Sequence, residues 1–150
     1  MGWAKQAAQE IQTIVDERIE NQKWTMFSRK EIEAQSDILW AELAGRVIAD
    51  TQEFDEARRH KSGLRAEHLT PNNVTVQRYL RPLKKLEFIY TRHLKVTVFW
   101  NGEPFADYRF GVDDSGSVWF VDEDRQQVAV EDVSRASFEQ LIELYKRALL

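Results

Sequence analysis

The chain has 150 residues, 43% of them hydrophobic and 31% charged, with a formal net charge of −4 and no cysteine. One sizeable core or two small ones fit that length, and a chain without cysteine has no disulfide framework, thiolate metal site or cysteine nucleophile. No run approaches the roughly 18 apolar residues of a membrane span, and the first residues, Met1 to Gln6, lack the apolar centre of a signal peptide, so a folded cytoplasmic protein with no membrane contact is the expectation.

The first predicted element is a helix from Trp3 to about Asn21. Ala4, Ala8, Ile11, Val15 and Ile19 line one side, Ala7 and Ile14 lie beside them, and no glycine or proline interrupts the run. That stripe either seals the core, the preferred reading, or forms a homodimer through residues 3–21; the repeat is too short to argue for a coiled coil. Ser28 and Glu31 have the spacing of a capping box, and Phe27 and Ile32 that of a hydrophobic staple, which together predict a new helix start. Ile38, Leu39, Leu43, Val47 and Ile48 then supply a fresh apolar face reaching about Phe54, as a second helix or as one bent at Ser36-Asp37.

Charge is unevenly distributed. Residues 56–96 hold 10 basic side chains against 3 acidic, whereas 1–55 hold 6 against 11 and 97–133 hold 2 against 9. The basic segment either attracts a polyanion or is neutralised by its acidic neighbours in the fold. Polar loops are predicted at Arg58 to Gly63 and at Thr70 to Asn73, with the short Leu64 to Leu69 segment between them. Val76, Leu80 and Leu83 recur at helical spacing and predict a basic amphipathic helix over Asn73 to Ile89, with a kink or restart at Pro82.

Leu64 to Leu69, the turn at Thr70 to Asn73, and Thr75 to Arg81 with Leu83, Leu86 and Phe88-Ile89 resemble the second and third helices of a winged helix-turn-helix domain, with Leu94 to Phe110 as its wing. The resemblance covers roughly residues 64–110. It implies double-stranded DNA as partner, with the third helix in the major groove. Thr75, Gln77, Arg78 and Arg81 would be the readers, with Lys84, Lys85 and Arg92 on the phosphates; Arg58, Arg59 and Lys61 extend the same basic surface from the preceding loop. Glu87 stands where many family members end the helix with glycine, and the hairpin carries Glu103 and Asp107 against Arg109 alone.

The second half reads as strands. Val96, Val98 and Trp100 alternate with Thr97 and Phe99 up to Asn101-Gly102, a strong hairpin signal because both residues tolerate positive φ. Phe105 to Val112, Ser117 to Val121 and Gln127 to Val130 complete a four-stranded antiparallel meander, and Ser137 and Gln140 predict a capping box opening the last helix. The expected fold class is α+β: N-terminal helices and a helix-turn-helix-like unit, then the four-stranded meander and a C-terminal helix. A boundary near residue 92 separates the helical part, 1–92, from the sheet part, 93–150, the two packed as one compact unit.

Catalytic signatures are sparse. His60, His68 and His93 have no metal-binding spacing, the carboxylates of Asp113-Asp114 and Asp122-Glu123-Asp124 read as solvated turns, and glycine-rich phosphate loops are absent. No enzyme, cofactor or metal is expected. Two functions remain: a nucleic-acid-binding, winged-helix-like regulator, or a small non-enzymatic interaction or inhibitor module. The latter would present Asp107, Asp113, Asp114, Asp122, Glu123 and Asp124 to a protein partner, such as a nucleic-acid-handling protein whose basic groove the carboxylates occupy.

Overall fold

Between Trp3 and Ala57 the sequence has no proline and a single glycine, Gly45, so nothing in that run stops a helix. The computed structural model describes residues 2–59, 63–78 and 84–149, with the side chains at 144, 145, 148 and 149 outside that description. In it the whole run forms one helix, α1 (Trp3–Ala57, 55 residues), about 80 Å long at 1.5 Å per residue. The expected break near Ser28 is absent. Ser28 caps no backbone group, its hydroxyl being enclosed without a hydrogen-bond partner, and Glu31 accepts from Gln35 Nε2 at 2.7 Å instead of reaching back to a cap. The helix ends where Arg58 N–H donates to Phe54 O (3.1 Å) and Arg59 turns to a φ of 54°.

Seven antiparallel strands follow in simple meander order: β1 (Leu64–Thr70), β2 (Asn73–Arg78), β3 (Lys85–Thr91), β4 (Lys95–Trp100), β5 (Glu103–Val112), β6 (Val118–Val121) and β7 (Gln127–Val128). A second helix, α2 (Val130–Leu149), closes the described chain. The class is α+β, but among the described residues seven strands and two helices replace the expected four strands and several helices. The described residues of the expected helix-turn-helix unit form β1, β2 and β3. Their period is two: Ala66, Val76 and Leu86 stand level across the three strands, as do Val74 and Phe88, while Glu67, Thr75 and Glu87 line the opposite face. The β-branched alternation Val74-Thr75-Val76 outweighs the helical spacing read from Val76, whose companions Leu80 and Leu83 lie outside the described residues. Pro82 lies outside the described residues. The boundary expected near residue 92 falls in the β3–β4 turn, between two strands paired from Leu86↔Trp100 to Thr91↔Lys95.

Alternation also sorts the sheet into two faces. Val74, Phe88 and Val98 form one inward row, and Tyr90, Val96 and Tyr108 another, with Phe110 opposite Phe120. Over them lies the C-terminal half of α1, through Trp40, Leu43, Ala44 and Val47, and beside it α2, through Val133, Phe138 and Leu141. α2 begins seven residues before the expected capping box. Ser137 is buried within it and donates to Val133 O at 2.8 Å, while Glu131 and Asp132 occupy the first turn and Lys146 and Arg147 the last, as the helix dipole favours.

Candidate interaction surfaces

α1 is fastened to the sheet by a polar clasp at its middle. Trp40 Nε1 donates to Pro71 O at 2.9 Å, and its ring stacks on Tyr90 at 5.4 Å between centroids. The Tyr90 hydroxyl donates to Asp37 Oδ1 at 2.6 Å, lies 3.1 Å from Ser36 Oγ and accepts from His93 N–H at 3.2 Å. Ser36 Oγ in turn lies 2.9 Å from His93 Nδ1, and Arg92 donates to Asp37 Oδ2 at 3.2 Å. Burial and then the neighbouring carboxylate push the Tyr90 phenol above its usual range, while the hydrogen bond from Tyr90, followed by Arg92, holds Asp37 below its own. Beside Ser36, Gln35 bridges to the β5–β6 turn, donating to Gly116 O at 2.8 Å and accepting from Val118 N–H at 3.2 Å. A serine beside a histidine invites a nucleophilic reading, but Ser36 is fully buried. With no room for a substrate at its hydroxyl, the pair serves as a fastener.

Beyond that clasp α1 leaves the body. Residues 3–27 are exposed throughout except Ala7, which is half-exposed. No hydrogen bond or ion pair among the described residues ties 3–26 to the sheet or to α2; Lys5 N–H to Gly2 O, Gln12 to Asp16, Thr13 to Gln9 O, Thr25 to Asn21 O and Lys23 to Glu20 are all local. Trp24 and Thr25 border an open pocket that His93 also lines, and the Phe27 ring lies beside Gly116. The apolar stripe of residues 3–19 therefore does not seal the core: Trp3 is 81% exposed and Ile11 63%, and Ile14, Val15 and Ile19 are exposed too. Farther along, Trp24 and Met26 are also exposed. The sequence reading missed those two, although aromatic and thioether side chains amid a polar helical stretch were a visible signal.

The expected DNA readers are not gathered on a helix. Thr75 is a buried strand residue whose hydroxyl donates to Asn73 Oδ1 at 2.8 Å; Gln77 and Arg78 close β2, with Arg78 level with Leu64 and Gln77 with Lys85. Lys84 lies 5.9 Å above the Trp100 ring, and Lys85 pairs with Glu87 at 3.1 Å. Because β1 starts where α1 ends, the topology puts Arg58, Arg59, Arg78, Lys84 and Lys85 at one end of the sheet, while Arg92 sits at the other end against Asp37. Lys61 and Arg81 lie outside the described residues.

Half of the six acidic candidates are engaged by the chain itself. Asp107 accepts from Thr97 Oγ1 at 2.6 Å and pairs with Lys95 at 3.5 Å. Asp113 accepts from the backbone N–H of Ser115 and Ser117, each at 3.0 Å, from Ser115 Oγ at 2.6 Å and from Trp119 Nε1 at 2.9 Å. Those bonds, the hydroxyl's first, hold its carboxyl down to about 2. Asp122 repeats the arrangement with Asp124 N and Gln126 N, both at 2.9 Å. Asp114, Glu123 and Asp124 remain as exposed turn carboxylates, and no group of three or more metal-ligating side chains is found among the described residues. An open groove of about 630 Å³ runs between the helices, lined by Asp50, Glu53, Phe54, Arg135 and Phe138 among others. Asp50 is bound there by Arg46 at 3.1 Å and by Ser134 Oγ at 2.7 Å, while Glu53, Glu131, Asp132 and Arg135 complete the groove's charged lining.

These features define a two-layer α+β protein, a seven-stranded meander under two helices, from which one helix projects. Comparison with protein-family models, with curated proteins and with solved structures finds no match for the chain. No helix among the described residues is long and apolar enough to cross a membrane.

Proposed function

We propose that the protein is a non-enzymatic interaction module that holds out the N-terminal half of α1 as a docking surface for another macromolecule. One observation carries this reading: the large apolar residues from Trp3 to Ile19 stand exposed to solvent, on a helix that reaches the body around Trp24 to Phe27. An isolated helix gains most of its stability from packing an amphipathic face, and exposed apolar stripes of this length mark contact surfaces. A photo-crosslinking side chain placed at Ile14, within the stripe, should yield a discrete adduct in cells, and the same probe at Glu17, outside it, should not. Equal labelling from both positions, or none from either, would sink the reading.

A second reading, polyanion contact, is favoured by the grouping of Arg58, Arg59, Lys84 and Lys85 at one end of the sheet. It predicts retention on duplex DNA that weakens steeply with salt and is lost in Arg58→Ala with Arg59→Ala; salt-independent retention, or none, counts against it. Groove reading by a recognition helix is not part of it, since β2 and β3 occupy the segment that was expected to supply that helix.

A further inference from the structure

Resting on the reading of α1 as a docking surface, we propose that the occupant is a second copy of the same helix, packed antiparallel about a two-fold axis at Ile11. On a helix of 3.6 residues per turn, Ala4, Ala7, Ala8, Ile11, Ile14, Val15, Arg18 and Ile19 fall within an arc of about 140°. Side-chain size along that arc is graded. Alanines occupy its beginning, Ile11 its middle, and Ile14, Val15 and Ile19 its far part.

An antiparallel partner centred on Ile11 sets residue 8 nearly level with 15, 7 with 14, 4 with 19 and 3 with 18. Each small side chain then faces a large one on the same flank, the interdigitation that packed helices require. The guanidinium of Arg18 reaches the indole of Trp3. Glu10 meets its own copy at the rim, where charges are exposed and the cost is small. A parallel pair would instead set alanine against alanine, leaving gaps, and would place two Arg18 side chains against each other in the seam. Self-complementarity of size and charge thus selects both the partner and its direction.

The body permits this arrangement. It begins around Trp24 to Phe27, so a partner centred on Ile11 brings its own body level with a point roughly 8–12 Å beyond Trp3 at 1.5 Å per residue. The two bodies lie at opposite ends of the pair and do not meet.

Sedimentation equilibrium of the full chain should give a dimer, and Ile11→Asp should weaken it on the order of 100-fold by placing two carboxylates in the seam. Ile11 is 63% exposed on the projecting half, so the backbone amide spectrum of the sheet residues should be unchanged in that variant. Because the chain has no native cysteine, Ile11→Cys should cross-link its own copy rapidly on mild oxidation, whereas Ala4→Cys, which lies about 21 Å from its own copy at 1.5 Å per residue, should not. A monomer at every concentration, a dimer that survives Ile11→Asp, or equally rapid cross-linking from residue 4 would overturn the proposal. The Ile14 probe separates this failure from failure of the broader reading: a monomer that still gives a discrete adduct of other mass loses only the second copy, whereas a monomer without an adduct loses both.

Discussion

The two halves of α1 share a periodicity and have opposite fates. Ser36, Trp40, Leu43, Ala44, Val47 and Thr51 are buried against the sheet, while Ala4, Ile11, Ile14 and Val15, on the same arc of the helix, are exposed. Between the two stretches that arc carries Arg18, Gln22, Thr25 and Arg29. An amphipathic stripe therefore shows that a helix has something to cover, and not what covers it. The composition of the stripe holds the further information. The buried half uses an indole, a leucine and a valine to fill space against aromatic rings, and its polar members are small, with hydroxyls bonded to Val47 O and within the Ser36 clasp. The projecting half uses alanine at three of its positions, which suits close approach by another helix more than packing on a wide sheet.

The widest separation between the halves should appear in stability. Leu43→Ala empties a fully buried site and should cost about 2–5 kcal/mol in a denaturant melt followed by tryptophan fluorescence. Ile14→Ala should change the same melt by no more than about 0.5 kcal/mol. Comparable losses from the two would mean that the projecting half is coupled to the body and would break the contrast. Between these extremes lies the clasp that separates the halves: Tyr90→Phe leaves Asp37, Ser36 and the His93 N–H without their shared hydroxyl, and a loss of about 1–2 kcal/mol is expected. Ring stacking on Trp40 survives that substitution, so a much larger effect would indicate that the hydroxyl organises more of the junction than the contacts around Ser36.

The same contrast explains what could be read from the chain. The strands of the second half are marked by Val96-Val98-Trp100 alternation and by Asn101-Gly102, whose φ values of 52° and 85° make the hairpin. The first three strands carried an equal signal in Leu64-Ala66, Val74-Val76 and Leu86-Phe88-Tyr90. It was masked because Val76, Leu80 and Leu83 also fit a helical period, and a short segment can satisfy both. Ser28 and Ser137 looked like caps because serine three residues ahead of a glutamate or glutamine also occurs within helices, where the hydroxyl turns inward or to the carbonyl four residues back. The apolar stripe of residues 3–19 was legible as a stripe. Its exposure was not, since local sequence does not say where the sheet ends. The clasp was invisible for the same reason: Ser36, Tyr90 and His93 are joined only by the way α1 lies across the β3–β4 turn.

The smallest expected effect tests the turns that were first read as a partner surface. Asp113 and Asp122 each accept the N–H groups two and four residues on, and each turn bends at the third residue beyond, Gly116 at a φ of 85° and Arg125 at 61°. Only Asp113 also binds a tryptophan indole, and its carboxyl is held at about 2, below the ordinary 3.8. A carboxyl depressed on folding stabilises the native state fully above the unfolded value, and that contribution fades as pH falls towards the folded one. Wild-type protein should therefore lose stability between about pH 4 and pH 2 by more than Asp113→Asn does, with Asp37, also depressed, acting equally in both. The acid limb of a melting-temperature profile measures the difference. Coincident limbs for the two proteins would mean that the turn's bonds persist when Asp113 is protonated, and that this carboxylate is free to serve a partner after all.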